Sequence, residues 1–180
     1  MFKPVPKDAV AIESHTRNYL FFVDESRYIK YYEGPEGGEE GPDSQYSLKS
    51  LKYKTKTIRV SAQVSQIAAV GYMAGNKHEA SIIMIRLYFA QDEDEGVQLK
   101  ELCITDGKFA DAQEGALNKR QGVAQALAPG SSISAVNILS SSLLKVFVTL
   151  KADTEKLYVW YFPVTEGKVG SWQHAEIELS

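Results

Sequence analysis

Ile67-Ala68-Ala69-Val70, Ile85-Arg86-Leu87-Tyr88-Phe89 and Val97-Gln98-Leu99-Lys100-Glu101-Leu102 follow one another in the middle of the chain. The first run is small and β-branched, and the other two are dense in leucine, β-branched and aromatic residues. The polar stretch Gln91-Asp92-Glu93-Asp94-Glu95-Gly96 lies between the last two. Apolar runs of this length separated by a polar, glycine-containing turn predict a strand followed by a β-hairpin. The same order recurs on both sides. Upstream, Ala9-Val10-Ala11-Ile12 precedes Tyr19-Leu20-Phe21-Phe22-Val23, the turn Asp24-Glu25-Ser26 and Tyr28-Ile29-Lys30-Tyr31-Tyr32. Downstream, Ile133-Ser134-Ala135-Val136 precedes Leu144-Lys145-Val146-Phe147-Val148, the turn 151–156 and Leu157-Tyr158-Val159-Trp160-Tyr161.

A repeat of roughly 60 residues accommodates a four-stranded propeller blade with its loops. The expectation is an all-β chain forming a single β-propeller-type domain of three blades, with repeats at about 9–62, 63–128 and 129–180. The segment Gly34-Pro35 to Asp43 is too polar and too rich in Gly and Pro to pack, which predicts an exposed loop. A short helix has room only within Ala112–Leu127, where Gly115 and Gly122 weaken it.

Composition excludes several functions. Twenty Lys and Arg against 23 Asp and Glu give a formal charge of −3, and the basic residues are scattered, so neither nucleic acid nor an anionic membrane is an expected partner. No apolar run approaches the ~20 residues that cross a bilayer, and Met1-Phe2-Lys3-Pro4-Val5-Pro6 lacks the apolar segment of a secretory signal. This predicts a protein of the cytoplasm, or one exported without a signal peptide. The single Cys103 sits in an apolar strand, where a buried, inert thiol is the expectation. His15, His78 and His174 fall in different copies, no second ligand stands at metal spacing, and no cofactor is expected. Ser131-Ser132 and Ser140-Ser141-Ser142 have no nucleophile-elbow context.

The run Ile85-Arg86-Leu87-Tyr88-Phe89, then Leu99-Lys100-Glu101, then Asp106-Gly107-Lys108-Phe109, then Pro129-Gly130-Ser131-Ser132-Ile133-Ser134-Ala135-Val136 resembles the repeat of the fungal fucose-specific lectins, six-bladed β-propellers. The resemblance implies that Arg86 and Glu101 bind sugar hydroxyls and that an aromatic ring stacks on the sugar's apolar face. Phe109 stands where that repeat usually has Trp, and Trp172 keeps the Trp itself. The chemistry is coherent, because a guanidinium and a carboxylate together satisfy hydroxyls that both donate and accept. The other copies depart from it, with Tyr19 and Lys145 at the Arg position and Lys30 and Val159 at the Glu position. An ion pair across neighbouring strands of a solvated sheet is the competing reading of Arg86 and Glu101.

Three blades do not make a closed ring, so the expected partner is a second copy completing six blades. The rivals are a fragment of a longer polypeptide and an open β assembly. For function, a lectin binding fucose or a related glycan between blades stands first. The alternative is a lectin-fold secondary-metabolite cyclase, of pericyclic or Diels–Alder type, that positions an apolar small molecule, with Tyr88, Tyr158, Trp160 and Trp172 as candidate walls. A protein-binding scaffold is the third.

Overall fold

The computed structural model describes residues 6, 8–14, 17–35, 46–74, 82–119, 125–138, 143–163 and 171–178. His15, His78, Gly122, residues 140–142 and most of the loop predicted at 34–43 lie outside them. The chain is all-β, with four antiparallel sheets. The first is a meander of β1 (Asp8–Ser14), β2 (Arg17–Val23), β3 (Ile29–Glu33) and β4 (Ser47–Ser50). The second joins β7 (Ile67–Ala74), β8 (Ile82–Glu93), β9 (Gly96–Thr105) and β10 (Gln113–Glu114). The third joins β11 (Ser134–Ile138), β12 (Leu143–Leu150), β13 (Asp153–Pro163) and β14 (Gln173–Glu176). A two-stranded ribbon of β5 (Lys52–Tyr53) and β6 (Lys56–Thr57) lies between the first two meanders in sequence.

The small residues of each opening strand have a packing reason. Strand β7 lies against both β1 and β11, so the first strands of the three meanders crowd together. A Cβ on Gly71 would come within 2.8 Å of the Glu13 carbonyl oxygen. Ala9, Ala11, Ala68, Ala69 and Ala135 occupy the same opening strands.

Register matches the three meanders residue for residue. Ile12–Tyr19–Glu33, Val70–Arg86–Cys103 and Val136–Lys145–Tyr161 are equivalent rows. The next row on that face is Val10–Phe21–Tyr31, Ala68–Tyr88–Glu101 and Ser134–Phe147–Val159. The Glu position of the first copy is therefore Tyr31, not Lys30. Side chains alternate faces along a strand, so that one-residue slip puts Lys30 on the opposite face, where it pairs with Asp24 at 2.8 Å.

The connections repeat too. Val60 N–H donates to Arg27 O at 2.9 Å and Ser61 N–H to Ala90 O at 2.8 Å. At the equivalent places Leu127 N–H donates to Val97 O at 2.7 Å and Ala128 N–H to Thr149 O at 3.0 Å. Each linker thus bonds to the sheet it leaves and to the one it enters.

Two apolar layers result. Tyr19, Phe21 and Tyr31 of the first meander meet Ile85, Leu87, Leu102 and Ile104 of the second. Tyr88, Ala68 and Val70 on the second's other face meet Leu144, Val146 and Trp160 of the third. The face carrying the Tyr19, Arg86 and Lys145 rows is face A, and its reverse is face B. Face A of one meander packs on face B of the next.

The turn predicted at 91–96 is tighter than its composition suggests. Strand pairing continues to Glu93 opposite Gly96, and Gly96 takes the left-handed φ of 113°. The polar side chains at this end find partners, Asp92 with the Ser61 hydroxyl at 2.6 Å and Glu93 with Lys100 at 2.7 Å. Asp106-Gly107 forms a turn with both residues at positive φ. The short helix expected in 112–127 does not form in its described part. Gln113–Glu114 pair with β9 instead, and single 3-10 turns flank them at η1 (Phe109–Asp111) and η2 (Ala116–Lys119).

We expect Gly71→Val to force β1 away from β7 and to destabilise the protein by about 1–3 kcal/mol, the usual cost of overpacking, measured by urea denaturation.

Candidate functional site

Of the candidate residues, Arg86, Tyr88, Glu101 and Trp172 come together between the second and third meanders. Arg86 and Glu101 sit on adjacent strands, two rows apart in register, and both point from face A. Glu101 is fully buried. Its Oε1 accepts from Arg86 Nη1 at 2.9 Å and lies 3.5 Å from the Tyr88 hydroxyl. Its Oε2 accepts from Trp172 Nε1 at 3.1 Å and from the Leu117 backbone N–H at 3.1 Å. This is not an ion pair on a solvated sheet, because the third meander covers it.

The surroundings are built for that carboxylate. A Cβ on Gly115 would lie 2.0 Å from Oε2 and 2.3 Å from Glu101 Cγ, so the glycine leaves the room the acid occupies. Asn118 Oδ1 accepts the Glu101 backbone N–H at 2.6 Å, and Gly115 N–H donates to Glu101 O at 2.9 Å. The loop carrying Gly115, Leu117 and Asn118 is thereby fastened to β9. Sequence reading took Gly115 only as a poor helix residue, and Leu117 enters through its backbone, which no side-chain pattern marks.

Arg86 is the outward member, with 13% of its side chain exposed. Besides Glu101, its Nη1 donates to Cys103 Sγ at 3.0 Å and its Nε to the Tyr72 hydroxyl at 3.1 Å. Its guanidinium carbon stands 5.8 Å from the centre of the Phe162 ring. Among the described residues Nη2 makes no hydrogen bond. Tyr72, Cys103 and Phe162 are each only partly buried. Tyr72 and Phe162 were not singled out from sequence; both lie on third-dimension neighbours rather than in the Arg86 motif.

The remaining candidates are elsewhere. Phe109 lies between the first and second meanders, stacked on Tyr31 at 4.1 Å and tilted against Tyr19 at 5.3 Å. Phe109 and Trp172 nevertheless obey one rule, since each precedes the fourth strand of its meander and reaches back onto face A of the meander before. Trp160 is 3% exposed and packs against the His174 ring at 4.7 Å, and Tyr158 is half-buried beside the same core. Among the described residues no group of acidic, His and Cys side chains could hold a metal ion. No helix among them is long and apolar enough to cross a membrane.

Electrostatics keeps the cluster in one protonation pattern. Burial alone would lower the Arg86 pKa, and the Glu101 carboxylate more than reverses this, holding the guanidinium charged. Burial, reinforced by Glu101, pushes Tyr88 well above the ordinary tyrosine value. Burial raises Tyr72 as well, against the opposing pull of Arg86. Burial and then Glu101 push the Cys103 thiol up to about 12, so it is a protonated neighbour and not a nucleophile. The chain matches no model of a known protein family, and no curated protein matches it.

Three expected outcomes follow from this geometry and its electrostatics. Arg86→Ala strands the Glu101 charge and should cost about 3–5 kcal/mol, read by thermal and urea unfolding. Gly115→Ala should expel the Glu101 carboxylate from Trp172 and shift tryptophan emission. The Cys103 thiol ionises near 9.0 in the unfolded chain and near 12 in the folded one. Below pH 9 both states keep the proton. Above it the unfolded state loses its proton first, so stability falls by about 1.4 kcal/mol per pH unit through that window. Cys103→Ala should remove this component from a series of urea melts between pH 8 and 10.

Proposed function

We propose that the three meanders are blades of a β-propeller and that the chain is a lectin-like protein binding a neutral, polyhydroxylated ligand, fucose or a related glycan, at the mouth of the cleft between the second and third blades. The observation that carries this reading is the Arg86 guanidinium. It is locked from behind by a buried carboxylate, yet 13% of its side chain stays exposed and an aromatic ring lies beside it. A planar donor held in place loses little entropy when a sugar hydroxyl arrives, and the Phe162 ring offers the C–H face of a sugar an apolar surface. Glu101 has its four acceptor positions taken, so its part in recognition is to orient Arg86. The resemblance to the fucose-specific lectins points the same way through Arg86, whereas Glu101 and Trp172, which it would have touch the sugar, are buried and bound to each other.

The first cleft supports no second site of this kind. Its equivalents of Arg86 and Glu101 are Tyr19 and Tyr31, and Phe21 and Phe109 fill the space between the blades. Of the four rings proposed as walls for an apolar substrate, two pack on each other instead. Tyr88 meets Trp172 edge-on at 5.9 Å and both are almost fully buried. That arrangement favours glycan binding over a cyclase.

The decisive variant is Arg86→Lys. It keeps a positive charge for Glu101 but removes the planar guanidinium, so folding is retained while ligand binding is lost. By calorimetry against methyl fucosides and a glycan array, wild type should bind and Arg86→Lys should bind about 30- to 150-fold more weakly, as the loss of a charged hydrogen bond predicts. Unchanged affinity in Arg86→Lys would overturn the site. Binding of a hydrophobic dye or polyketide without any glycan would favour the cyclase, and binding of neither would favour the scaffold.

A further inference from the structure

Each internal junction buries face A of one meander on face B of the next, and among the described residues face B of the first meander and face A of the third are left uncovered. On face B, Leu87 and Val146 occupy equivalent register positions and are 0% exposed, whereas their counterpart in the first meander, Leu20, is 37% exposed. Around it lie Leu48 at 54% exposure and Tyr32, stacked on Phe22 at 5.3 Å. A groove of about 610 Å³ runs over this surface, lined by Ala11, Leu20, Tyr32 and Tyr46 among others. On face A, Phe21 and Tyr88 are fully buried, whereas their counterpart Phe147 is only half-buried. Along β12 burial alternates strictly, with 144, 146, 148 and 150 buried and 143, 145, 147 and 149 half-buried. The half-buried set belongs to the open face, alongside Val159, Tyr161 and the 41%-exposed Val136.

We propose that a second copy of this chain covers both open faces, its third meander seated on the first meander of its partner and the reverse, closing a ring of six blades. The occupant follows from the molecule's own internal junctions, which pair A with B twice using residues equivalent to those left open. A junction between unlike faces propagates until it closes or becomes a filament. Closed propellers run from about four to eight blades, and two copies of these three meanders give six, within that range. Closure also removes the uncovered apolar faces that would otherwise drive aggregation. The inference rests on the propeller reading and not on the ligand, so absence of glycan binding leaves it standing.

The test is the mass and its response to paired variants. Light scattering of wild type should give twice the 20.0 kDa chain mass, independent of concentration in the micromolar range. Leu20→Lys on face B and Phe147→Asp on face A should each give the single-chain mass while keeping the native circular dichroism. Mixing the two should restore the doubled mass, because one native junction and one Lys–Asp junction form. A wild-type monomer, a species that grows with concentration, or variants that stay monomeric on mixing would each overturn the proposal. Should a variant fail to fold, hydrogen exchange on diluting wild type decides. Protection lost together in β2–β3 and β12–β13 supports the ring, and loss in one of them alone overturns it.

Discussion

The arrangement of the second and third meanders depends on a single desolvated carboxylate. A carboxylate buried like that of Glu101 needs several donors, and the fold supplies four from three separate places: Arg86 and Tyr88 on β8, the Leu117 N–H in η2, and Trp172 just before β14. A buried ion pair of this kind contributes little net stability compared with an apolar packing of the same volume. Its effect is on specificity. Only one placement of the third meander brings the Trp172 indole N–H to Oε2, and only a glycine at 115 leaves room for the acid.

The two junctions solve one packing problem in opposite ways. Between the first and second meanders Tyr19 and Tyr31 stand at the Arg86 and Glu101 positions and, with Phe109, fill the space with stacked and tilted rings, while Glu33, at the Cys103 position, pairs with Arg17. Between the second and third, the same backbone frame holds an arginine and a glutamate with Trp172 in the Phe109 role. The aromatic solution closes the cleft. The charged solution leaves one edge of a guanidinium outside, because a charged group retains favourable hydration and a buried aromatic does not. The ligand site proposed above thus falls at one junction of a repeated frame.

Sheet order constrains the sequence at the crowded end. Where β7 lies against β1 and β11, side chains shrink to Ala, Gly and Ser, while bulk moves to the second and third strands, which lie farther from the contact. Linker hydrogen bonds recur at equivalent carbonyls, Arg27 with Val97 and Ala90 with Thr149, so the spacing between meanders is held by backbone as well as by side chains. The same repetition leaves the two terminal faces apolar.

The sequence by itself determined the nine inner strands and their hairpins. Runs such as Tyr19–Val23, Ile85–Phe89 and Leu144–Val148 are each dense enough in β-forming residues to declare a strand, and the matching order of three copies declared the repeat. It also placed Arg86 and Glu101 on facing strands of one hairpin, and the register of that hairpin puts both on one face. The fourth strands were not legible. Ser47–Ser50 and Gln173–Glu176 are wholly exposed and Gln113–Glu114 is two residues long, so none carries an apolar alternation. The first-copy counterpart of Glu101 was misplaced by one residue, because hairpin length is set by turn geometry and strand pairing, not by composition. Tertiary structure alone decided that Trp172, 71 residues from Glu101 along the chain, binds the carboxylate, that Phe109 serves the other junction, and that Tyr72 and Phe162 frame the guanidinium. These contacts join neighbouring meanders, and the faces that meet are chosen by packing between sheets, which no local periodicity records.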